Sequence, residues 1–211
     1  MNRIQKYNLA FVHSPKCGGT SVSNWLKKVG RANHTELSDG KNDMHNSIPS
    51  TLIHNNMKRQ DLGFVFTTVR NPWAREFSNY THIMGRVRNY PASIANVKKQ
   101  VTDFSSWVEL FDGNSFRHFF QTCSASWPYR EGEIKSPQEY WTQQCDLVIK
   151  LEDLDKEFYK IQDILKSKEN LVNKNVRFEN REEWKKHYNK DTIDIVYKAH
   201  EEDIKKYNYD F

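Results

Sequence analysis

The sequence predicts an α/β protein with a P-loop-like, three-layer fold, in which helices flank a central parallel sheet. Three short apolar stretches rich in β-formers carry this prediction, at residues 8–13, 64–69 and 146–150. Each stretch is followed by residues with helical periodicity, as in βαβ units. Because 211 residues is an ordinary length for one domain, we expect residues 1–211 to form a single domain.

Composition excludes several classes of protein. Aromatic residues make up 13% of the chain, too many for a disordered protein. No apolar run approaches the length of a membrane helix, and we expect no secretory signal at the N-terminus. The net charge of +5 favours an anionic ligand. We expect no disulfide framework or zinc site, and a cytoplasmic location, because the sparse cysteines form no CxxC pair: Cys17, Cys123 and Cys145.

The first predicted strand, 8–13, leads into a turn at 14–21 that combines a lysine, two glycines and two hydroxyl residues. Glycine allows backbone N–H groups to approach an oxyanion, and the helix that follows directs its positive end to the same place. This pattern predicts an anion-binding loop made of Lys16, Cys17, Gly18, Gly19, Thr20 and Ser21. The alternative is an ordinary capped turn. A Walker A loop is a poor match because here the lysine precedes the glycines.

After a predicted polar loop at 31–50 and a helix near 50–60, the second strand, 64–69, is followed directly by Arg70. The carboxyl ends of parallel strands are where open α/β sheets bind ligands, and a guanidinium can hold a phosphate with two hydrogen bonds. Pro72 is well placed to begin the next helix. Ser78 lies on that helix and could donate to the same phosphate. A structural salt bridge is the alternative role for Arg70.

The remaining chain has weaker signals. Short helices with irregular loops are predicted over 86–145, and the third strand is followed by a helix from about Glu152. A polar loop at 167–190 precedes a final amphipathic helix, 192–207.

Two of these stretches together resemble one family. FVHSPKCGGTSVSNWL resembles the 5′-phosphosulfate loop of sulfotransferases that use 3′-phosphoadenosine 5′-phosphosulfate (PAPS), and FVFTTVRNPWAREFSNY resembles their 3′-phosphate motif. The subgroup is the carbohydrate sulfotransferases of the heparan and chondroitin type, with their bacterial and phage relatives. Later segments of the chain are also similar to this family, although residues 86–115 and 167–190 match it least. Cys17 stands where threonine is usual.

The resemblance implies transfer of a sulfuryl group from PAPS to a hydroxyl group, which in this subgroup belongs to a saccharide, with no metal ion. PAPS would bind to residues 8–30 and 63–84. The resemblance assigns Lys16 to the bridging oxygen of the phosphosulfate, the rest of the loop through Ser21 to the 5′-phosphate, and Arg70 and Ser78 to the 3′-phosphate.

A general base is needed to accept the proton of the acceptor hydroxyl, and in the relatives a histidine upstream of the VRNP strand serves. His45 and His54 both qualify, with His45 favoured by its distance from Arg70, whereas His13 is expected to pack at a strand end. The acceptor cleft is expected within 86–145, where side chains suited to a saccharide are Arg86, Arg88, Arg117, His118, Trp127 and Arg130.

Two other functions are compatible with parts of the sequence. A nucleotide-dependent kinase would require a Walker A loop and a magnesium-binding carboxylate, and neither arrangement is found. A basic nucleic-acid-binding module fits the positive charge, but the aromatic residues recur at helical spacing, which is typical of a core. We therefore expect a small-molecule or oligosaccharide acceptor and no nucleic acid as partner. The sequence leaves the oligomeric state open.

Overall fold

The computed structural model describes residues 1–37, 45–85, 92–117, 137–171 and 182–211, with the side chains of 92–95 excepted. The chain divides into two compact units. We call Met1–Arg70 with Gln138–Arg177 the sheet unit, and Asn71–Pro137 with Phe178–Phe211 the helical unit. Within the described ranges, no helix has both the length and the apolar character needed to cross a bilayer.

The sheet has the strand order β3-β1-β2-β4-β5. Its strands are β1 (Asn2–Ile4), β2 (Leu9–Val12), β3 (His34–Glu36), β4 (Phe64–Val69) and β5 (Leu147–Lys150). β4 pairs in parallel with both β2 and β5, which confirms the three predicted strands and their direction. The expectation of a wholly parallel sheet is corrected, because β1 runs antiparallel to β2 and to β3.

The α-helices in the described ranges are α1 (Gly19–Gly30), α2 (Ile48–His54), α3 (Pro72–Met84), α4 (Ala92–Gln100), α5 (Phe104–Leu110), α6 (Glu139–Thr142), α7 (Leu154–Glu157), α8 (Tyr159–Leu165), α9 (Lys190–Ala199) and α10 (Glu201–Tyr207). Short 3-10 turns occur at Gln5–Tyr7, Arg31–Asn33, Arg59–Leu62, Leu151–Asp153 and Glu183–His187. The helices predicted after the first and second strands are therefore present.

The core of the sheet unit lies between one face of the sheet and the helices α1, α7 and α8. Trp25 of α1 stacks edge to face on Phe158, with ring centroids 4.8 Å apart, and its indole N–H donates to the carbonyl of Glu169. Each large apolar side chain buried in this way contributes roughly 1.5–3 kcal/mol. The sheet contributes Ile4, Leu9, Phe11, Phe66 and Ile149, and the helices contribute Val22, Leu26, Leu154, Ile161 and Leu165.

The helical unit has its own core of aromatic and aliphatic side chains. Asn71 caps α3, because its Oδ1 accepts hydrogen bonds from the backbone N–H groups of Trp73 and Ala74. The same side chain donates from Nδ2 to the carbonyl of Asp210, 2.7 Å away. The Trp73 indole N–H donates to the Ile193 carbonyl at 3.1 Å. Residues from the two ends of this unit's sequence therefore complete one core.

Charged side chains are also buried in the helical unit. His200 lies between two carboxylates, with Nε2 3.5 Å from Glu76 Oε1 and Nδ1 3.7 Å from Asp203 Oδ2. Its Nε2 also lies 3.0 Å from the carbonyl of Gly113. Burial lowers the pKa of His200, but the two carboxylates outweigh this effect and the net shift is upward. Ser115 donates from its backbone N–H and its hydroxyl to Glu76.

Candidate active site

The loop between β2 and α1 reverses direction through two left-handed residues. Lys16 has a φ of 63° and Gly18 a φ of 77°. Gly18 is the N-cap of α1, and a Cβ atom there would lie 2.5 Å from the side chain of Leu151. The left-handed conformation therefore favours glycine at this position, and the close approach of Leu151 adds to this preference.

The N-terminus of α1 presents backbone N–H groups that have no carbonyl partner within the helix. Gly19 is its first residue, and a Cβ there would overlap the imidazole of His13. Thr20 is exposed, whereas Ser21 is buried. Because the helix dipole adds a partial positive charge at this end, the turn suits a phosphate group.

Residues of strand β4 and the residue that follows it donate hydrogen bonds to the loop. The hydroxyl of Thr68 donates to the carbonyl of Cys17 at 2.7 Å, and Nη1 of Arg70 donates to the carbonyl of Lys16 at 3.3 Å. Since the C=O and N–H of one trans peptide point in opposite directions, the N–H of Gly18 is directed away from Thr68. The Arg70 guanidinium thus lies beside the loop that carries Lys16.

Cys17 turns its thiol toward the protein interior. The side chain is fully buried, and Sγ lies 3.4 Å from Ser14 Oγ and 3.6 Å from Gln138 Oε1. The position where threonine is usual therefore holds an inward-facing thiol donor.

His13 supports the loop from below. Its buried imidazole places Nδ1 3.4 Å from Ser23 Oγ, and that hydroxyl also accepts a hydrogen bond from Asn2 Nδ2. Burial lowers the pKa of His13 well below its ordinary value, and the neighbouring His45 and the N-terminal amine act in the same direction. His13 is therefore neutral near pH 7.

His45 is in contact with the strand end that precedes the loop. Its Nδ1 lies 2.9 Å from the carbonyl oxygen of His13, and the two imidazoles meet edge to face with centroids 4.6 Å apart. A carbonyl oxygen can only accept, so Nδ1 carries the proton and Nε2 is the basic nitrogen of the neutral ring. The His45 carbonyl in turn accepts from the Trp141 indole at 2.8 Å. His54 is an exposed residue at the end of α2.

The sequence did not single out Gln138, Thr68 or Asn71. Gln138 is fully buried and contacts both the loop and Arg70. These residues act on backbone groups, and no pattern of residue types marks such contacts. The VRNP motif in the sequence includes Asn71, but it does not indicate that Asn71 caps α3.

Two other predicted residues belong to the helical unit. Ser78 is a half-buried residue of α3 in the helical unit, and Arg117 is exposed. Among the residues that the structure describes, no cluster of three or more His, Cys, Asp or Glu side chains is arranged to hold a metal ion. The remaining candidates for the acceptor cleft lie outside the described residues: Arg86, Arg88, His118, Trp127 and Arg130.

Comparison with known proteins gave one match. The family model described as the sulfotransferase family matches residues 1–210. The comparisons with curated proteins and with solved structures found no match.

Proposed function

The chain belongs to the sulfotransferase family, and from this premise we propose that it transfers a sulfuryl group from PAPS to a hydroxyl group of a saccharide. The observation that carries the proposal is the loop between β2 and α1, with Arg70 donating to it from the strand end. A left-handed glycine, the start of a helix and two cationic side chains in one unit are suited to a ligand with several anionic groups.

The loop would bind the phosphosulfate end of PAPS. Gly18 and Gly19 let the loop pack closely against Leu151 and His13, since a Cβ atom on either glycine would clash with those side chains. We assign the 5′-phosphate to the amides of Gly18, Gly19 and Thr20 and to the hydroxyls of Thr20 and Ser21, with the buried Cys17 contributing from beneath the loop. The Ser21 N–H is left out because it donates to the Gly18 carbonyl at 3.1 Å. Lys16 is assigned to the bridging oxygen, where negative charge develops as the phosphate leaves.

The 3′-phosphate is assigned to Arg70. A guanidinium forms short, paired hydrogen bonds with phosphate, and a fixed backbone limits where this one can reach. Ser78 is proposed as a second donor to this phosphate on the basis of the sequence motif alone.

The reaction is an in-line displacement at sulfur. The bond from sulfur to the bridging oxygen breaks, a new bond forms between sulfur and the acceptor oxygen, and the acceptor proton moves to a base. We assign His45 Nε2 as this base, supported by the hydrogen bond that fixes the proton on Nδ1. His54 remains the alternative. The products are the sulfated acceptor and 3′-phosphoadenosine 5′-phosphate (PAP).

The proposal treats residues 1–211 as one sulfotransferase domain in which the loop and Lys16 supply the positive charge, so no metal ion takes part. It includes a cytoplasmic location, for which the support is the sparse cysteine content of the sequence.

Replacement of Arg70 tests the proposal. We expect wild-type protein to bind PAP more tightly than adenosine 5′-phosphate (AMP), and Arg70→Ala to remove most of this difference while AMP binding is retained. Isothermal titration calorimetry with both nucleotides measures this directly, and added salt should weaken PAP binding more than AMP binding. ATP and a short oligonucleotide serve as controls for the kinase and nucleic-acid functions. Equal weakening of PAP and AMP by Arg70→Ala would contradict the assignment.

A further inference from the structure

Gln138 pairs its side-chain amide with the backbone of Arg70. Its Nε2 donates to the Arg70 carbonyl at 3.0 Å, and its Oε1 accepts from the Arg70 N–H at 3.0 Å. The side chain is fully buried. The amide thus forms the two hydrogen bonds that a neighbouring strand would otherwise supply.

Arg70 needs such a partner because the sheet ends just before it. The β2–β4 pairing ends at Thr67 and the β4–β5 pairing ends at Val69, opposite Lys150. Arg70 is the first residue beyond the ladder, and backbone groups that are shielded from water must still be hydrogen-bonded. Gln138 extends the pairing by one residue.

The same amide also contacts the phosphate loop. Gln138 Oε1 lies 3.6 Å from the thiol of Cys17, whose carbonyl accepts the hydrogen bond from Thr68. One buried side chain therefore touches both elements to which the proposed function assigns phosphate groups: the loop for the 5′-phosphate and Arg70 for the 3′-phosphate.

We propose that Gln138 is a positioning residue that sets Arg70 relative to the loop and thereby sets the preference for nucleotides that carry a 3′-phosphate. This inference rests on the proposed function of the same site. Gln138 itself contacts no reacting atom. Gln138 acts by fixing the position of the Arg70 backbone. A small displacement of the Arg70 guanidinium would strongly change its interaction with a phosphate group.

The first test compares PAP and AMP binding to wild type and Gln138→Ala by calorimetry. We expect Gln138→Ala to reduce the preference for PAP over AMP by about tenfold, since two buried hydrogen bonds to Arg70 are lost. AMP binding should change little. Gln60→Ala is the matched control, because Gln60 is an exposed glutamine of the same unit, and its preference should equal that of wild type.

The second test uses Gln138→Glu, which keeps the shape of the side chain. An ionised carboxylate accepts from the Arg70 N–H but repels the Arg70 carbonyl, whereas a protonated carboxyl can donate to that carbonyl as the amide does. Burial raises the pKa of a carboxyl group, so protonation occurs in an accessible range. Relative to wild type at each pH, the preference of Gln138→Glu for PAP should be low near pH 8 and should recover as the pH is lowered and the carboxyl group is protonated. Gln138→Ala should show no recovery.

These outcomes separate the inference from the function on which it rests. If wild type shows no preference for PAP, the 3′-phosphate assignment fails and the inference fails with it. If wild type shows the preference but Gln138→Ala and Gln138→Glu retain it at every pH, or weaken both nucleotides equally, Gln138 has only a structural role and the inference alone is wrong. Should Gln138→Ala fail to fold, the recovery of Gln138→Glu with pH decides.

Discussion

The hydrogen bond between His45 and the His13 carbonyl determines which nitrogen of the His45 ring is basic. With the proton held on Nδ1, a neutral imidazole has its lone pair on Nε2, as a general base requires. His13 supports this arrangement without competing as a charged group, because burial lowers the pKa of its imidazole. The pair thus combines one histidine that packs with one whose tautomer is fixed by a hydrogen bond.

Removal of the His45 imidazole should therefore slow the transfer step and leave nucleotide binding unchanged. We expect His45→Ala to lower kcat by about 10²–10⁴-fold, as is usual for a general base, while the Kd for PAP stays unchanged. Steady-state rates with an acceptor that wild type sulfates, and calorimetry with PAP, measure the two quantities.

His54→Ala is the control, and we expect a much smaller loss because His54 is exposed at the end of α2. The reverse ranking of the two variants would transfer the role to His54. Full turnover in both would refute a histidine base and direct attention to Glu36, Asp39 and Asp43. Of these, Glu36 forms an ion pair with Lys27, and Asp39 and Asp43 lie outside the described residues.

At the scale of residues, the sequence indicated the side chains whose types are chemically distinctive. Lysine beside paired glycines indicates an anion loop, and arginine after an apolar strand indicates a ligand at the sheet edge. Gln138 was not predictable in this way. Its partner Arg70 lies 68 positions away, and a glutamine that pairs with backbone looks like any other polar residue in a sequence.

At the scale of elements, the junction between α9 and α10 depends on a buried charge. The sequence predicts one helix over 192–207, but His200 leaves the helical region with a φ of −124° and turns its imidazole toward Glu76 and Asp203. The upward shift of the His200 pKa means that the protonated ring stabilises the folded state. This stabilisation is complete below the unfolded-state pKa of about 6.5 and is lost as pH rises through the higher folded-state pKa.

Replacement of His200 by glutamine should make this dependence visible. His200→Gln can still donate to the Gly113 carbonyl, but it removes the positive charge that lies beside two buried carboxylates, which costs about 3–5 kcal/mol. The difference in unfolding free energy between wild type and His200→Gln should be largest below pH 6.5 and should decrease above it. Urea unfolding across this pH range measures it. A difference that grows with pH would show that His200 is neutral in the folded state.

The elements that the sequence missed are those with little pattern to detect. β1 and β3 have three residues each, too few to show alternation, and β3 lies in the polar stretch predicted as a loop. β1 pairs with both β2 and β3, and β3 forms by pairing with β1. His34 Nε2 lies 2.9 Å from Asn2 Oδ1 across the pair of β1 and β3. Helix α8 begins at Tyr159, where one helix from Glu152 was expected. The interruption changes no apolar position, so periodicity could not locate it.

At the scale of the whole molecule, the proposed enzyme should work without a metal ion. The amides at the start of α1 and the ammonium group of Lys16 would neutralise the leaving phosphate. We expect turnover to be unaffected by EDTA, measured as PAP release in the presence of acceptor. Complete loss on chelation, reversed by added magnesium, would instead support the kinase-like function.

The interleaving of the two units along the chain has a consequence for the order of events on the ribosome. Trp73 is made early, yet the carbonyl that its indole contacts belongs to Ile193, 120 positions later. At roughly 5–20 residues per second, synthesis of that interval takes about 6–24 s. During this time Ile193 is absent, and the aromatic face of α3 is not covered by it. The nascent chain therefore exposes a hydrophobic surface that a chaperone could bind until the last helices emerge.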